Sequence, residues 1–186
     1  MNPTRLYLIR HAHTAADHTL DSVYWQLSTR GAEEAIRLAG QPFWSEVALI
    51  ALSSELKTRL TVAPLLAQRG LPVVVDSRFD ELQRPGWVEN YERQVAQAFA
   101  LPDQAAGAWE PASAALARIL DGIADLVAHH PGRTLALVGH GLTLRLYRAH
   151  LLGRSRVEFD EWRQLGFATV ALVDPVTPAL LADFTL

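Results

Sequence analysis

The sequence predicts one α/β domain, a three-layer αβα sandwich with a mainly parallel central sheet. Short apolar runs that suit buried strands alternate along the chain with stretches whose apolar residues recur every three to four positions, as on one face of a helix. The chain has 186 residues, of which 49% are hydrophobic and 20% charged, and this is enough for one well-buried core. We therefore expect a single domain over residues 1–186.

The elements follow one another in a regular order. Strands are predicted at residues 4–10, 47–52, 72–75, 134–138, 166–173 and 180–184. Helices are predicted at residues 28–38, 56–69, 88–100, 112–129 and 142–152. Residues 86–111 form a short, Ala-rich insertion, which is predicted to be a small helical cap placed before the last motif helix.

Composition narrows the classes of function. A net charge of −3, without any Lys/Arg-rich run, gives no support for a nucleic-acid or anionic-membrane partner. The chain has no cysteine, which removes disulfides, thiolate metal sites and cysteine nucleophiles. No apolar segment approaches the roughly 18–20 residues that span a bilayer, and Arg5 and Arg10 bracket a first apolar run too short for a signal peptide. We expect a cytoplasmic protein and make no prediction of its oligomeric state.

Polar residues that could carry chemistry follow four of the predicted strands. Arg10 and His11 come after the first strand, residues 53–59 after the second, residues 80–81 after the third and His140 after the fourth. Because the carboxyl ends of parallel strands meet at one edge of a sheet, these clusters should converge. A single strand-end histidine is more often structural than catalytic, but four clusters at one edge favour an active site.

These residue types suit phosphoryl transfer. A phosphomonoester carries close to two negative charges, and its transfer places charge on three equatorial oxygens. His11 can attack phosphorus as a neutral imidazole and form a phosphohistidine, which splits one displacement into two. Arg10 offers a bidentate fork for phosphate oxygens. Lys57 would add a point charge near the N–H groups at the start of its helix.

The remaining polar residues complete the predicted pocket. His140 can donate a hydrogen bond to the phosphate oxygens, best when protonated, and the Gly141 amide lies next to it. Glu81 is the best candidate for protonating the leaving oxygen and then for activating water. Thr14 belongs to the turn after His11 and is grouped with the phosphate-binding residues. Since cationic side chains neutralise the phosphate, the sequence predicts neither a metal ion nor a cofactor.

Five segments also occur in a characteristic order. Residues 10–14 read Arg-His-Ala-His-Thr, residues 27–31 Leu-Ser-Thr-Arg-Gly, residues 53–61 Ser-Ser-Glu-Leu-Lys-Thr-Arg-Leu-Thr, residues 79–82 Phe-Asp-Glu-Leu and residues 137–141 Leu-Val-Gly-His-Gly. The set resembles the histidine phosphatase superfamily, in its phosphoglycerate-mutase-like branch, over nearly the whole chain. The resemblance implies phosphatase or mutase chemistry on a small phosphate ester, with the same site residues and through a phosphohistidine.

Three positions depart from the pattern of the family that the chain resembles. Ala12 stands for Gly, which a tight turn tolerates unless it needs positive φ. Asp17 stands for Asn and would weaken phosphate binding unless it faces away from the site. Lys57 stands for Arg and loses bidentate geometry. Arg59 is the competing cation, but two positions along a helix it should point elsewhere.

A metal-dependent hydrolase is one alternative. His11 and His13 would share one face of a strand, and Asp17 and His18 follow, as in histidine-rich metal sites. No clear set of remaining ligands is found, and Arg10 would set a cation beside the metal.

Two further alternatives keep the phosphate site. A phosphate-binding pseudoenzyme gains weight from Lys57 and Asp17, although His11, Glu81 and His140 all remain. A mutase must hold a bisphosphorylated intermediate and, in the family that the chain resembles, goes with longer chains and a larger lid, whereas the insertion here is short. The sequence thus favours a phosphatase and leaves its substrate open.

Overall fold

The computed structural model describes residues 3–185, which contain six β-strands and six α-helices. The strands are β1 (Arg5–Arg10), β2 (Val47–Leu52), β3 (Val73–Val75), β4 (Thr134–Gly139), β5 (Val170–Asp174) and β6 (Ala179–Thr185). The helices are α1 (Thr29–Ala39), α2 (Leu56–Gln68), α3 (Tyr91–Ala100), α4 (Ala112–His129), α5 (Gly141–Leu151) and α6 (Phe159–Arg163). None of these helices is both long and apolar enough to cross a membrane.

All six strands form one sheet in the order β3-β2-β4-β1-β5-β6. The pairs β3–β2, β2–β4 and β4–β1 are parallel, whereas β5 pairs with β1 and with β6 in antiparallel fashion. The predicted α/β class and the mainly parallel sheet are therefore confirmed.

Hydrophobic residues cover both faces of the sheet, which explains why its central strands are continuous apolar runs. Along β1, Leu8 joins a core cluster with residues of α4 and α5, while its neighbour Ile9 joins a second cluster with residues of α1 and α2. Both side chains are fully buried. Because successive strand residues point to opposite faces, this alternation places the helices in two layers around the sheet.

The cap region forms a third packed cluster. The predicted helix at residues 88–100 begins only at Tyr91. From residues 86–111, Val95, Phe99 and Trp109 are buried against Leu142 of α5 and its neighbours. The cap thus packs on the helix that begins at the end of β4, which places it beside that end of the sheet.

The segment before β5 differs from the prediction. Its alternating pattern predicts a strand from residue 166, but the strand begins at Val170, and Ala168 has a positive φ of 53°. The backbone instead turns over the end of β1. The amide of Ala168 donates to the carbonyl of His11, and the amide of Arg10 donates to the carbonyl of Thr169. The short helix α6, just before this turn, was not predicted.

Candidate active site

The register of the sheet brings three strand ends together. Arg10 pairs with Gly139 across β1 and β4, and Leu52 pairs with Val138 across β2 and β4. The residues that follow these pairs therefore emerge side by side at one edge of the sheet. A cavity of about 240 Å³ opens there. Six of the seven predicted site residues line it, namely Arg10, His11, Thr14, Lys57, Glu81 and His140.

His11 is held as a neutral imidazole. Its side chain is buried, and Nδ1 lies 2.8 Å from the carbonyl oxygen of Ala12. A carbonyl can only accept, so Nδ1 carries the proton and Nε2 keeps its lone pair. Burial, followed by the nearby His140, Arg10 and Lys57, holds the pKa of His11 well below its ordinary value. The ring is thus ready to act as a nucleophile.

Arg10 is clamped from three sides. Its guanidinium lies 3.8 Å from the ring centroid of Phe167, and Nη1 donates to the carbonyl of Leu165. A Cβ atom on Gly141 would lie 3.1 Å from Nε, so the missing side chain lets the start of α5 approach the guanidinium. Gly141, the seventh predicted residue, therefore lies beside Arg10 and does not line the cavity. Burial lowers the pKa of Arg10 to about 10, which leaves it a cation at neutral pH.

His140 directly follows β4 and is 1% exposed. Its Nε2 shares a hydrogen bond of 2.7 Å with Oγ of Ser53, while Nδ1 has no hydrogen-bond partner within residues 3–185. Burial, followed by the charge of Lys57, holds the pKa of His140 well below its ordinary value. The empty site therefore favours neutral His140. The sequence had instead suggested that His140 donates to the phosphate oxygens best when it is protonated.

Lys57 is paired with a residue that the sequence interpretation missed. Its Nζ donates to Oε2 of Glu55 at 2.5 Å, and both side chains are 4% exposed. The other oxygen of Glu55 accepts from the amide of Glu81 at 2.8 Å and lies 3.5 Å from Nε2 of His140. A buried carboxylate thus joins the cationic site. Arg59 is exposed, as expected.

The position of Glu55 explains why it was missed. Residues two apart on a helix do not face each other, so Glu55 and Lys57 do not form a recognisable helical pair. Glu55 is instead the extended N-cap of α2, and its side chain makes no capping bond. It turns inward towards Lys57. The one available signal was an acidic residue beside the only lysine, directly after a buried strand.

Glu81 is fastened to the start of α5. One oxygen accepts from the amides of Leu82 and Thr143 at 3.0 and 3.1 Å, and the other accepts from the amide of Leu142 at 3.0 Å. A carboxylate at this position satisfies free N–H groups of the helix and interacts favourably with its dipole. Glu81 is thereby held beside His140, which directly precedes the same helix.

The loop that carries Glu81 is braced from α4 by Arg118, another residue that the sequence interpretation missed. Arg118 donates at 2.8 Å to the carbonyls of Arg78, Asp80 and Glu81 and pairs with Glu110 at 2.9 Å. Glu110 does not line the cavity. It binds Arg118 and the amide of Gln83.

Two of the unusual positions are accommodated by their surroundings. Ala12 is fully buried and donates its amide to Oγ1 of Thr61 at 2.9 Å. Ala12 also has an ordinary negative φ, since within residues 3–185 Ala168 alone among the non-glycine residues has a positive one. Asp17 is exposed, accepts hydrogen bonds from Thr19 and does not line the cavity. Neither position therefore weakens the candidate phosphate site.

The histidines proposed for a metal site are engaged elsewhere. Nδ1 of His13 lies 2.8 Å from Oγ of Ser28, and the ring of His18 stacks on Trp87 with centroids 3.6 Å apart. Within residues 3–185, no three His, Asp or Glu side chains are grouped as a metal site requires. The metal-dependent alternative gains no support from this arrangement.

A second cavity, of about 350 Å³, is lined by residues of α1, β5 and β6. Its lining is largely apolar and includes Tyr7, Leu38 and Leu172, but none of the predicted site residues. The chemistry-bearing side chains are therefore gathered in the smaller cavity at the strand ends.

The fold and motifs have counterparts among known proteins. The solved structure of Bacillus stearothermophilus YhfR is 21% identical, with a TM-score of 0.75 over 97% of this chain and 96% of that chain. The mycobacterial glucosyl-3-phosphoglycerate phosphatase is 23% identical, with a TM-score of 0.74 over 97% of both chains. A putative α-ribazole-5′-P phosphatase from Escherichia coli is 21% identical, with a TM-score of 0.72 over 97% of this chain and 96% of that chain. At these identities the likeness concerns the fold.

A family model extends the likeness to the sequence. No curated protein matches the chain. The model described as histidine phosphatase superfamily (branch 1) matches residues 6–176, which include all of the predicted site residues. The chain belongs to the histidine phosphatase superfamily.

Proposed function

We propose that the protein is a metal-independent phosphomonoester hydrolase that forms a phosphohistidine on His11. The observation that carries this proposal is the state of His11, a buried and neutral ring whose Nε2 keeps its lone pair. Its ring centroid lies 5.2 Å from that of His140, and the cations Arg10 and Lys57 are close enough to lower its pKa. Such a site attracts a dianion and meets it with an unprotonated nucleophile.

In the first step, Nε2 of His11 attacks phosphorus and the ester P–O bond breaks. Arg10 and Lys57 neutralise the phosphate oxygens, and the unpartnered Nδ1 of His140 is the atom that can bond to them if it carries the proton. The leaving oxygen takes a proton from Glu81. Of its two oxygens, Oε2 accepts one amide hydrogen bond and Oε1 accepts two, so Oε2 has the free position for that proton.

In the second step, a water molecule gives its proton to Glu81 and attacks phosphorus. The P–N bond breaks, inorganic phosphate forms and His11 returns to the neutral state, so that protons and charge balance over the cycle. Thr14 lines the cavity beside His11 and is assigned to phosphate binding. Gly141 supports the site by leaving room for Arg10.

Hydrolysis is favoured over mutase chemistry by the small cap. Residues 86–111 contribute one helix of ten residues, α3, and the walls of the cavity beyond the phosphate site are largely apolar. A bisphosphorylated intermediate would need a second set of cations there, and among residues 3–185 Arg84 is the only cation of the cap side that lines the cavity. Two of the structural neighbours described above are also named as phosphatases.

The test is to trap the phosphoenzyme. Wild-type protein is mixed with a generic aryl phosphate in the presence of a chelator, quenched in alkali and analysed for acid-labile phosphate. We expect turnover and labelling, both lost in His11→Ala and both kept in His13→Ala, the matched control whose ring bonds to Ser28.

Three outcomes would overturn the proposal. Full activity and labelling in His11→Ala would remove His11 as the nucleophile. A requirement for added Zn²⁺ would favour a metal-dependent hydrolase. Phosphate binding without labelling or turnover across a broad panel of esters would favour a pseudoenzyme.

A further inference from the structure

We propose that the group esterified to the phosphate is a planar, largely apolar ring system that packs against Trp25 and Trp87, a subsite that we call the aromatic clamp. This inference rests on the proposed function for the position of the phosphate. It names the substrate class of the same site.

The aromatic clamp adjoins the phosphate end of the cavity. Nζ of Lys57 lies 5.8 Å from the ring centroid of Trp25. A ring attached to the phosphate directly, or through a short linker, would therefore lie over Trp25 while its phosphate contacts Lys57 and Arg10. The two tryptophan rings are 6.2 Å apart between centroids and inclined at 42°, so they form two walls of one cavity.

Both rings of the aromatic clamp are held in place by the loop at residues 15–20. Nε1 of Trp25 donates to the carbonyl of Asp17 at 2.9 Å. The ring of His18 stacks on Trp87 at 3.6 Å and 16°. Trp87 nevertheless remains 44% exposed. A large aromatic side chain that is oriented by its neighbours but left open to the cavity is typical of a binding surface rather than of a core.

Few polar groups are available to a sugar or a polyol at this end. Beyond the residues assigned to phosphate binding and to proton transfer, the cavity is lined by three side chains with a hydroxyl or a charged group, Ser22, Arg84 and Tyr91. Arg84 lies 5.1 Å from the ring centroid of Tyr91 and donates to the carbonyl of Leu82, which uses part of its hydrogen-bonding capacity. The remaining walls include the rings of Trp162 and Phe167. Hydroxyl groups buried here would lose hydrogen bonds to water, whereas a flat ring would gain stacking contacts.

Non-hydrolysable ligands test the subsite independently of turnover. Dissociation constants for phenethylphosphonate and methylphosphonate are measured with wild-type protein by quenching of tryptophan fluorescence and by calorimetry. We expect the aromatic phosphonate to bind about tenfold more tightly, because only this ligand can stack on the clamp. Equal affinities would overturn the proposal, whether or not the protein is a phosphatase.

Two variants localise the effect. Trp87→Leu should remove most of the preference for phenethylphosphonate and leave the affinity for methylphosphonate within a factor of about two. Tyr24→Leu is the matched control, because Tyr24 is 63% exposed and does not line the cavity; it should change neither affinity. An unchanged preference in Trp87→Leu, or an equal loss for both ligands, would contradict the assignment.

Turnover then identifies the source of the ring. Values of kcat/KM are compared for phenethyl phosphate, a nucleoside 5′-monophosphate and glycerol 3-phosphate, since all three have alkyl leaving groups. A preference of about tenfold or more for either aromatic ester over glycerol 3-phosphate is expected, and the better of the two shows how far the ring lies from the phosphate. Preference for glycerol 3-phosphate would refute the inference. Failure of all three esters, with the phosphonate preference retained, would instead refute the proposed hydrolase.

Discussion

Replacement of Glu55 with glutamine should strengthen the binding of inorganic phosphate. In the empty site Glu55 forms an ion pair with Nζ of Lys57, the cation that we assign to the phosphate, and both side chains are buried. A dianion that enters the cavity must therefore share Lys57 with an internal carboxylate. Glu55→Gln keeps the shape of the side chain and an oxygen that can accept from the amide of Glu81, but removes the charge.

The magnitude follows from the distances in the site. Glu55 lies 3.5 Å from His140, whose ring is 5.2 Å from that of His11, so its carboxylate is within one side-chain length of the phosphate position. A unit charge about 6 Å away contributes about 3 kcal/mol at an effective dielectric constant of about 20. Loss of that repulsion corresponds to about a 100-fold tighter dissociation constant for each negative charge of the phosphate, and we expect at least about tenfold after relaxation of the site.

The same substitution should destabilise the empty protein. Removal of one partner from a buried ion pair leaves the other charge uncompensated and costs about 3–5 kcal/mol of the free energy of unfolding. Phosphate at about 100 times its dissociation constant then returns about 2.7 kcal/mol. The variant should therefore lose stability in buffer and recover more than the wild type when phosphate is added.

Titration calorimetry and urea unfolding, each with and without phosphate, measure both effects. Glu33→Gln is the matched control, since Glu33 is an exposed residue of α1 and should show neither effect. Phosphate binding that is unchanged or weaker in Glu55→Gln would refute the competition between Glu55 and phosphate for Lys57.

Three further predictions concern other parts of the site. Gly141→Ala should weaken phosphate binding about tenfold or more, because the new Cβ would lie 3.1 Å from the guanidinium of Arg10. The control variant Gly70→Ala should bind phosphate normally, because a Cβ at that position meets nothing within 4 Å. Equal dissociation constants for the two variants in calorimetry would contradict the close packing of Gly141 on Arg10. Glu81→Gln should slow the hydrolysis of alkyl phosphates, whose leaving group needs a proton, by about 100-fold or more. The hydrolysis of aryl phosphates should slow much less, and equal losses for both classes in steady-state kinetics would contradict the role of Glu81 as the acid. Burial lowers the pKa values of His11 and His140 in the folded state, so the unfolded chain binds more protons at acid pH. The free energy of unfolding should therefore fall as the pH drops below about 6.5, and at pH about 5.5 the loss should be about 1.4 kcal/mol per histidine. Urea unfolding of wild type and His11→Asn should show a smaller pH dependence in the variant, and the same dependence in both would contradict the buried neutral state of His11.

Much of the fold could be predicted because its signals are local and repeated. The runs that become β1, β2 and β4 are apolar at nearly every position, which indicates a sheet covered on both faces. The polar residues at their ends then define one edge, and Arg10 and Gly139 meet there by register alone.

Other features depend on contacts that sequence spacing does not encode. Arg118 reaches the carbonyl of Glu81 from a position 37 residues along the chain, and nothing in the helical pattern of α4 distinguishes it from a solvent-exposed arginine. Residues 166–169 alternate like a strand, but positive φ at Ala168 and the contact of Phe167 with Arg10 turn them into a lid over the end of β1. Glu55 is buried because an N-cap has extended backbone, which aims its side chain away from the helix.

The stereochemical course at phosphorus tests the central claim, transfer through His11, most directly. Each in-line displacement inverts phosphorus, so two successive steps through a phosphohistidine give net retention and one direct attack by water gives inversion. A substrate made chiral at phosphorus with sulfur and oxygen isotopes is hydrolysed in isotopically labelled water, and the configuration of the product is determined. Retention is the predicted result, and inversion would contradict nucleophilic catalysis by His11.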